Sequence, residues 1–177
     1  MGTRSNRRSG SAMIEFVLVG IPLIFVLISI FEMARGMWLY HTLAYAVKEG
    51  VRYTVVHGQN CWTAPNNCKV TVQDIARRVL DSGVGLVPED LNMMLGAGNC
   101  NGATGLCSSQ VTCNPATGCL ADTNFWPAYP DNQPGLDVMF RVQYPFRSAI
   151  AMFWPGSAPQ QFGLFTFSAS SRETIQF

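Results

Sequence analysis

The stretch from Ala12 to Phe31, AMIEFVLVGIPLIFVLISIF, limits what this chain can become more than any other feature. As a helix rising about 1.5 Å per residue it reaches about 30 Å, the thickness of a bilayer's hydrocarbon core. The sequence therefore predicts one membrane crossing. Arg4, Arg7 and Arg8 stand before it, and the positive-inside tendency keeps such a flank in the cytoplasm. The bulk of the chain is then expected on the far side. Gly20 and Pro22 interrupt the run, and both are tolerated in membrane helices when neighbouring groups satisfy the freed carbonyl. A removable secretory signal shares this layout of basic flank and apolar run. Against that reading, Glu15 sits at the start of what would be the signal's apolar core, and EMARG after Phe31 offers no small-x-small cleavage site. A twin-arginine signal at Arg7 and Arg8 calls for bulky apolar residues next, where Ser9, Gly10 and Ser11 stand.

Composition supports a membrane address. Charged residues make up 13% of the 177, about half the share usual in soluble domains. Net charge is +1 and the basic residues beyond Arg8 are scattered, which argues against a nucleic-acid partner. All six cysteines, Cys61, Cys68, Cys100, Cys107, Cys113 and Cys119, follow the apolar run. An even number confined to one side suggests disulfides in an oxidising space, the side to which the arginines assign most of the chain. Zinc is the competing reading, though the spacings are too wide for paired CxxC ligands. Six cysteines allow many connectivities. The simplest joins neighbours: Cys61 with Cys68, Cys100 with Cys107, Cys113 with Cys119.

Past Phe31 the pattern predicts that the helix continues to about Gly58, roughly 45 residues in all. Tyr40, Leu43, Ala44, Val47, Val51 and Val55 recur at spacings of three and four and form one apolar stripe. His41, Lys48, Glu49 and Arg52 are expected on the other side. Glu32 and Arg35, one turn apart, are placed to pair where the helix leaves the lipid.

Gly10 is followed by Ser11, Ala12, Met13, Ile14 and then Glu15. This spacing resembles the processing site of type IV prepilins, which a membrane aspartyl peptidase cuts after a glycine, leaving glutamate as the fifth residue of the mature chain. Farther on, IPLIFVLISIFEMARGMWLYHTLAYAVKEGVRYTVVHG resembles the TadE-like family of Tad (tight adherence, Flp) pilus proteins. The likeness lies in the membrane proline, the Glu32 and Arg35 exit, and an AxxEGxRY-type helix end carried by Ala46, Glu49, Gly50, Arg52 and Tyr53. It covers residues 9 to about 57; the cysteine-bearing region beyond departs from the short strands that end most such chains. The resemblance implies cleavage between Gly10 and Ser11 and a minor pilin-like role in the inner membrane. Its implied partners are a prepilin peptidase, other pilin-like subunits and the Tad assembly machinery. It implies no cofactor and no metal.

Cutting after Gly10 would create an amine on Ser11, cationic at neutral pH. Glu15 is its natural partner, because a carboxylate among apolar helices is costly unless paired. Within one chain the amine lies about 6 Å along the axis; the amine of a neighbouring subunit would serve instead and fix the stagger between helices. A plainer reading has Glu15 reach up to the headgroups.

Residues 1–10 thus read as a basic leader, 11–57 as a membrane and amphipathic helix, and 58–177 as an exported domain with a Cys-rich insert over 96–135. Within that domain, Val70 to Leu80 reads as a helix with Thr71 as N-cap. Leu91 to Leu95, Leu136 to Phe146 and Phe162 to Ile175 read as strands, with a helical candidate at Ser148 to Phe153. The expected class is α+β: a long N-terminal transmembrane helix continuing into an antiparallel-sheet, pilin-like domain with a disulfide-bearing loop region from Gly96 to Gly135. Phe125, Trp126, Tyr129, Phe153 and Trp154 flank prolines and suit a core better than a binding surface.

Nothing in the sequence points to an enzyme. The two histidines, His41 and His57, lie on or beside the long helix, and HExxH, GxSxG and phosphate-binding glycine loops are absent. Glu89 and Asp90 read as solvated turn residues, and Asp131 and Asp137 lack calcium-loop spacing. Two functions follow: a processed pilus subunit, or an unprocessed single-pass anchor whose exported domain binds an envelope or secretion partner.

Overall fold

The computed structural model describes residues 9–58, 69–102, 104–148 and 164–176. Helix α1, Ser9–Val55, is 47 residues long and runs unbroken through Pro22, about 70 Å at the standard rise. Its two halves are held by different means. From Met13 to Phe31 the large apolar side chains are exposed except the half-buried Ile28, and this part is long and apolar enough to cross a membrane. From Leu39 onward one face is buried: Leu39, Leu43, Ala46, Val47, Gly50, Val51, Thr54 and Val55. The Thr54 hydroxyl donates to the Gly50 carbonyl at 3.0 Å, so this buried polar group is satisfied within its own helix.

The stripe differs from the expected one at its lower end. Tyr40 is exposed and only touches Phe167 edge-on, while Leu39 takes the buried place. Neighbouring residues diverge by about 100° on a helix of 3.6 residues per turn, so Tyr40 lands on the rim once Leu39 and Leu43 face the sheet. Glu49 also shifts, from the solvated side to the edge of the contact with the second helix, where it meets Arg78.

Helix α2, Val72–Ser82, starts at Thr71 as expected, and its cap is complete. The Thr71 hydroxyl accepts from Asp74 N at 3.1 Å while Asp74 Oδ2 accepts from Thr71 N at 3.1 Å. The next donors, Val72 N and Gln73 N, reach the carbonyls of Asn124 and Asp122. N–H groups that have no partner inside a helix are thereby paired. The hydrogen bond from Thr71 is the main reason the Asp74 carboxyl is held below the ordinary carboxylate range. Its stabilisation is present above the unfolded value, about 4, and is lost as pH falls through the lower folded value. Thr71→Ala is expected to cost about 1 kcal/mol. In thermal melts the deficit of Asp74→Asn should be larger at pH 7 than at pH 3; an equal deficit at both would refute the cap's charge dependence.

A 3₁₀ turn, Pro88–Asp90, leads into strand β1, Asn92–Gly98. Strands β2 (Ser109–Cys113), β3 (Asp137–Arg147) and β4 (Leu164–Thr174) complete an antiparallel sheet in the order β2-β1-β3-β4. In β3, residues Val138, Phe140, Val142, Tyr144 and Phe146 share one face and are buried with the inner faces of α1 and α2. Complete burial contributes roughly 1.5–3 kcal/mol for each large apolar side chain; Phe140, Leu43, Ile75, Leu91, Met93 and Leu95 are among those fully enclosed. The molecule is α+β. Its end is tied back: Gln176 N donates to the Val55 carbonyl at 3.1 Å, filling an acceptor that the end of α1 leaves open.

The interval from Gly96 to Gly135 is more than a loop. It completes β1, supplies β2, and sends Trp126 and Cys119 into the core. Two disulfides brace it, Cys100–Cys107 and Cys113–Cys119, both between neighbouring cysteines. Cys61 and Cys68 lie outside the described residues. The aromatic cluster divides: Trp126 is buried beside Phe140, whereas Phe125 and Tyr129 are exposed. Phe153, Trp154 and the helical candidate beyond Ser148 also lie outside the described residues. Asp137 pairs with Arg172.

Candidate assembly site on the long helix

The residues singled out along α1 fall into three groups. Gly10, Ser11 and Glu15 lie in its first turns, with Glu15 exposed at the start of the bare apolar half. Glu32 and Arg35 lie where that half ends. Glu32 is only 8% exposed and stands 3.6 Å from Arg35. Arg35 reaches further: Nη1 donates to the Arg147 carbonyl at 3.3 Å, and the guanidinium lies 5.3 Å from the Phe146 ring centre. At Gly36 an added Cβ would meet the Phe167 and Phe146 rings at 3.6 and 3.7 Å, ordinary contact distance, so both rings pack over the helix there. The Glu32 and Arg35 pair therefore also joins the helix to the end of β3, through Arg35.

The third group docks α2. Ala46 is fully buried. A Cβ on Gly50 would lie 2.7 Å from Val79 Cγ2 and 3.2 Å from the Phe140 ring, so the glycine marks the close approach of α1, α2 and β3. Beside it in the chain Glu49 accepts from Arg78 Nη2 at 2.7 Å, and the same guanidinium lies 5.9 Å from the Tyr53 ring centre. Arg52 faces solvent. Glu49 and Arg78 are partly exposed, so their coupling is expected at about 0.2–1 kcal/mol. A double-mutant cycle with Glu49→Gln and Arg78→Gln, read by thermal melts at low and high salt, checks this. A coupling of zero at low salt would remove the pair from the dock.

Sequence reasoning missed Arg78, Arg147 and Phe146. Arg78 stands beside an equivalent arginine, Arg77, and nothing local says which one faces α1. Trp38 was missed too. Gly85 has φ +87, and a Cβ there would lie 2.6 Å from the Trp38 ring, so the loop after α2 lies directly on α1. Between that loop, α1 and the end of β3 is a cleft of about 190 Å³ lined by Arg35, Leu39, Val87, Asp90, Tyr144 and Arg147, among others. Asp90, expected as a solvated turn residue, stands 3.4 Å from Arg147 Nη2. Among the described residues no group of three or more His, Cys, Asp or Glu is placed to hold a metal ion.

The profile of the TadE-like protein family matches residues 10–52. The N-terminal segment is TadE-like. No curated protein and no solved structure matches the chain. The TadE-like stretch takes in the bare half of α1, the Glu32 and Arg35 exit, and Ala46, Glu49, Gly50 and Arg52. It stops before Tyr53 and leaves α2, the sheet and both disulfides outside it. The likeness therefore follows the helix and the residues by which the helix grips the rest.

Proposed function

We propose that this chain is a minor pilin-like component of a Tad-type pilus, anchored in the inner membrane by α1 and cut after Gly10 by a prepilin peptidase before assembly. In this reading residues 1–10 are a cytoplasmic leader, 11–57 the stem, and 58–177 an exported domain. One observation carries it: a single TadE-like helix is bare and apolar over Met13–Phe31 and packed on a sheet beyond Leu39. Apolar area of that size needs lipid or other helices around it, and a pilus subunit meets each in turn. Two disulfides in the α+β body suit an oxidising space. TadE-like pilus proteins are structural, and we assign no catalytic residue. The intact mass of the mature protein tests the reading. A chain beginning at Ser11 is expected in cells with an active prepilin peptidase; a chain beginning at residue 1 or 2 there would refute processing.

An unprocessed single-pass anchor, binding an envelope or secretion partner through its exported domain, is the second reading. The end of the match at residue 52 favours it, since most of the folded body lies beyond the TadE-like stretch. Both readings share one topology. They separate on cleavage and on whether the protein appears in sheared surface fibres.

A further inference from the structure

We propose that the cleft beside Arg35 binds the headgroup of an aminophospholipid, with its phosphodiester on Arg35 and Arg147 and its primary ammonium on Asp90. The proposal rests on the reading that α1 crosses a bilayer.

Contacts along α1 establish which end of the body faces that bilayer. Gly36 meets Phe146 and Phe167, Gly50 meets Val79 and Phe140, and the Val55 carbonyl meets Gln176. The end of β3, the start of β4 and the loop after α2 are therefore nearest the lipid. Arg35 is four residues past Phe31, about 6 Å along the axis. The polar layer outside the hydrocarbon is roughly 5–7 Å deep on each side. The cleft thus opens at headgroup level.

Its chemistry matches that depth. Arg35 and Arg147, 112 residues apart in the chain, are brought together by the hydrogen bond from Arg35 to the Arg147 carbonyl. Their side chains stay 45% and 74% exposed, so their donors are accessible from outside. A guanidinium fork is shaped for two oxygens of one phosphate. The cleft is about six water volumes at roughly 30 Å³ each, which gives a phosphate and an ammonium room together. Around it Trp38, Val84, Val87 and Phe165 are exposed, the mixture of tryptophan and aliphatic side chains suited to a membrane boundary.

The carboxylates decide the headgroup class. Asp90 stands beside Arg147 and Glu32 beside Arg35, so the cleft is nearly neutral. A headgroup with only negative charge would face Asp90 with nothing to offer it. A zwitterion carrying N–H donors meets both signs, and a trimethylated choline, which has no N–H, leaves the carboxylate without a hydrogen bond.

The test uses full-length protein purified with an equimolar mixture of phosphatidylethanolamine, phosphatidylcholine and phosphatidylglycerol. Retained lipid is counted by native mass spectrometry. We expect phosphatidylethanolamine to exceed phosphatidylcholine about tenfold, the scale of one charge-assisted hydrogen bond. Asp90→Asn should bring the ratio near one, and Arg147→Gln should lower retention of both lipids severalfold, each with unchanged thermal melts. Equal retention of all three lipids, a preference for phosphatidylglycerol, a ratio unchanged by Asp90→Asn, or retention unchanged by Arg147→Gln overturns the proposal. So does displacement of the lipid by millimolar inorganic phosphate, which would mark an anion site. Carbonate extraction separates the two readings: release from membranes overturns the crossing and this inference together, whereas retention without headgroup preference overturns this inference alone.

Discussion

Gly50→Leu is expected to unfold the contact between the stem and the α+β body, lowering Tm by roughly 4–8 °C in the full-length protein. The glycine position is enclosed on two sides, with Val79 Cγ2 2.7 Å and the Phe140 ring 3.2 Å from where a Cβ would lie. A leucine must therefore push α2 or β3 away, at about 3 kcal/mol or more. Removing glycine from a helix returns about 1 kcal/mol through backbone propensity, so the net effect stays clearly destabilising. Gly50→Ala makes an informative companion. Its single methyl meets the Val79 side chain first, and if that side chain turns aside, the helix gain nearly offsets the crowding. A leucine variant melting with the wild type would show that α1 and α2 do not approach as described.

Glu15→Ala should leave the amount of protein in the membrane unchanged and reduce its recovery in sheared filaments by at least about tenfold. The first half of this expectation follows from cost: losing a carboxylate from an apolar run makes insertion easier. The second half follows from what is left behind. If Glu15 answers the Ser11 amine of its own or a neighbouring chain, truncation strands that amine among apolar helices, a loss of about 3–5 kcal/mol for a buried pair that loses one member. Glu15→Asp keeps the charge but draws it back by one methylene, and intermediate recovery is expected. Normal recovery of the alanine variant would end the proposed role of this residue, and loss of the protein from membranes would relocate it to insertion.

The parts of the fold legible in the sequence are those set by local rules. The extent of α1 follows from a largely apolar run of twenty residues and a stripe at helical spacing, and Thr71 is readable as a cap because its hydroxyl and Asp74 act within one turn. The long strands β3 and β4 alternate visibly. What escaped depends on partners far along the chain. β2 is a short polar-apolar run, SQVTC, inside an interval rich in turn residues, and it becomes a strand only because β1 offers its edge. Trp126 packs on Phe140 as a core aromatic should, whereas Phe125 and Tyr129, which read the same way among their prolines, are exposed, and only the approach of a distant strand separates the three. At the candidate site, the AxxEGxRY likeness flags Glu49 and Gly50 without saying what they do. Their partners, Arg78 and Val79, lie 29 residues further on, and no local pattern marks them. Tyr40 shows the converse error: the spacing is right for a stripe, yet one residue's rotation about the axis decides which side chain faces the sheet.

The tie between Gln176 and the end of α1 bears on how the molecule carries a pull. Tension applied to the apolar half of the stem enters the body along the axis of α1, roughly parallel to β4 and opposed to β3. To draw the stem out, the side chains from Leu39 to Val55 must slide past the sheet together, because a load along the axis cannot peel them one at a time. The fastening of the last strand to the helix end closes the route by which the sheet would swing away as a flap. A stem that is also the central element of the core turns every buried valine along it into part of a grip, and the body can be dragged by its membrane end without first coming undone.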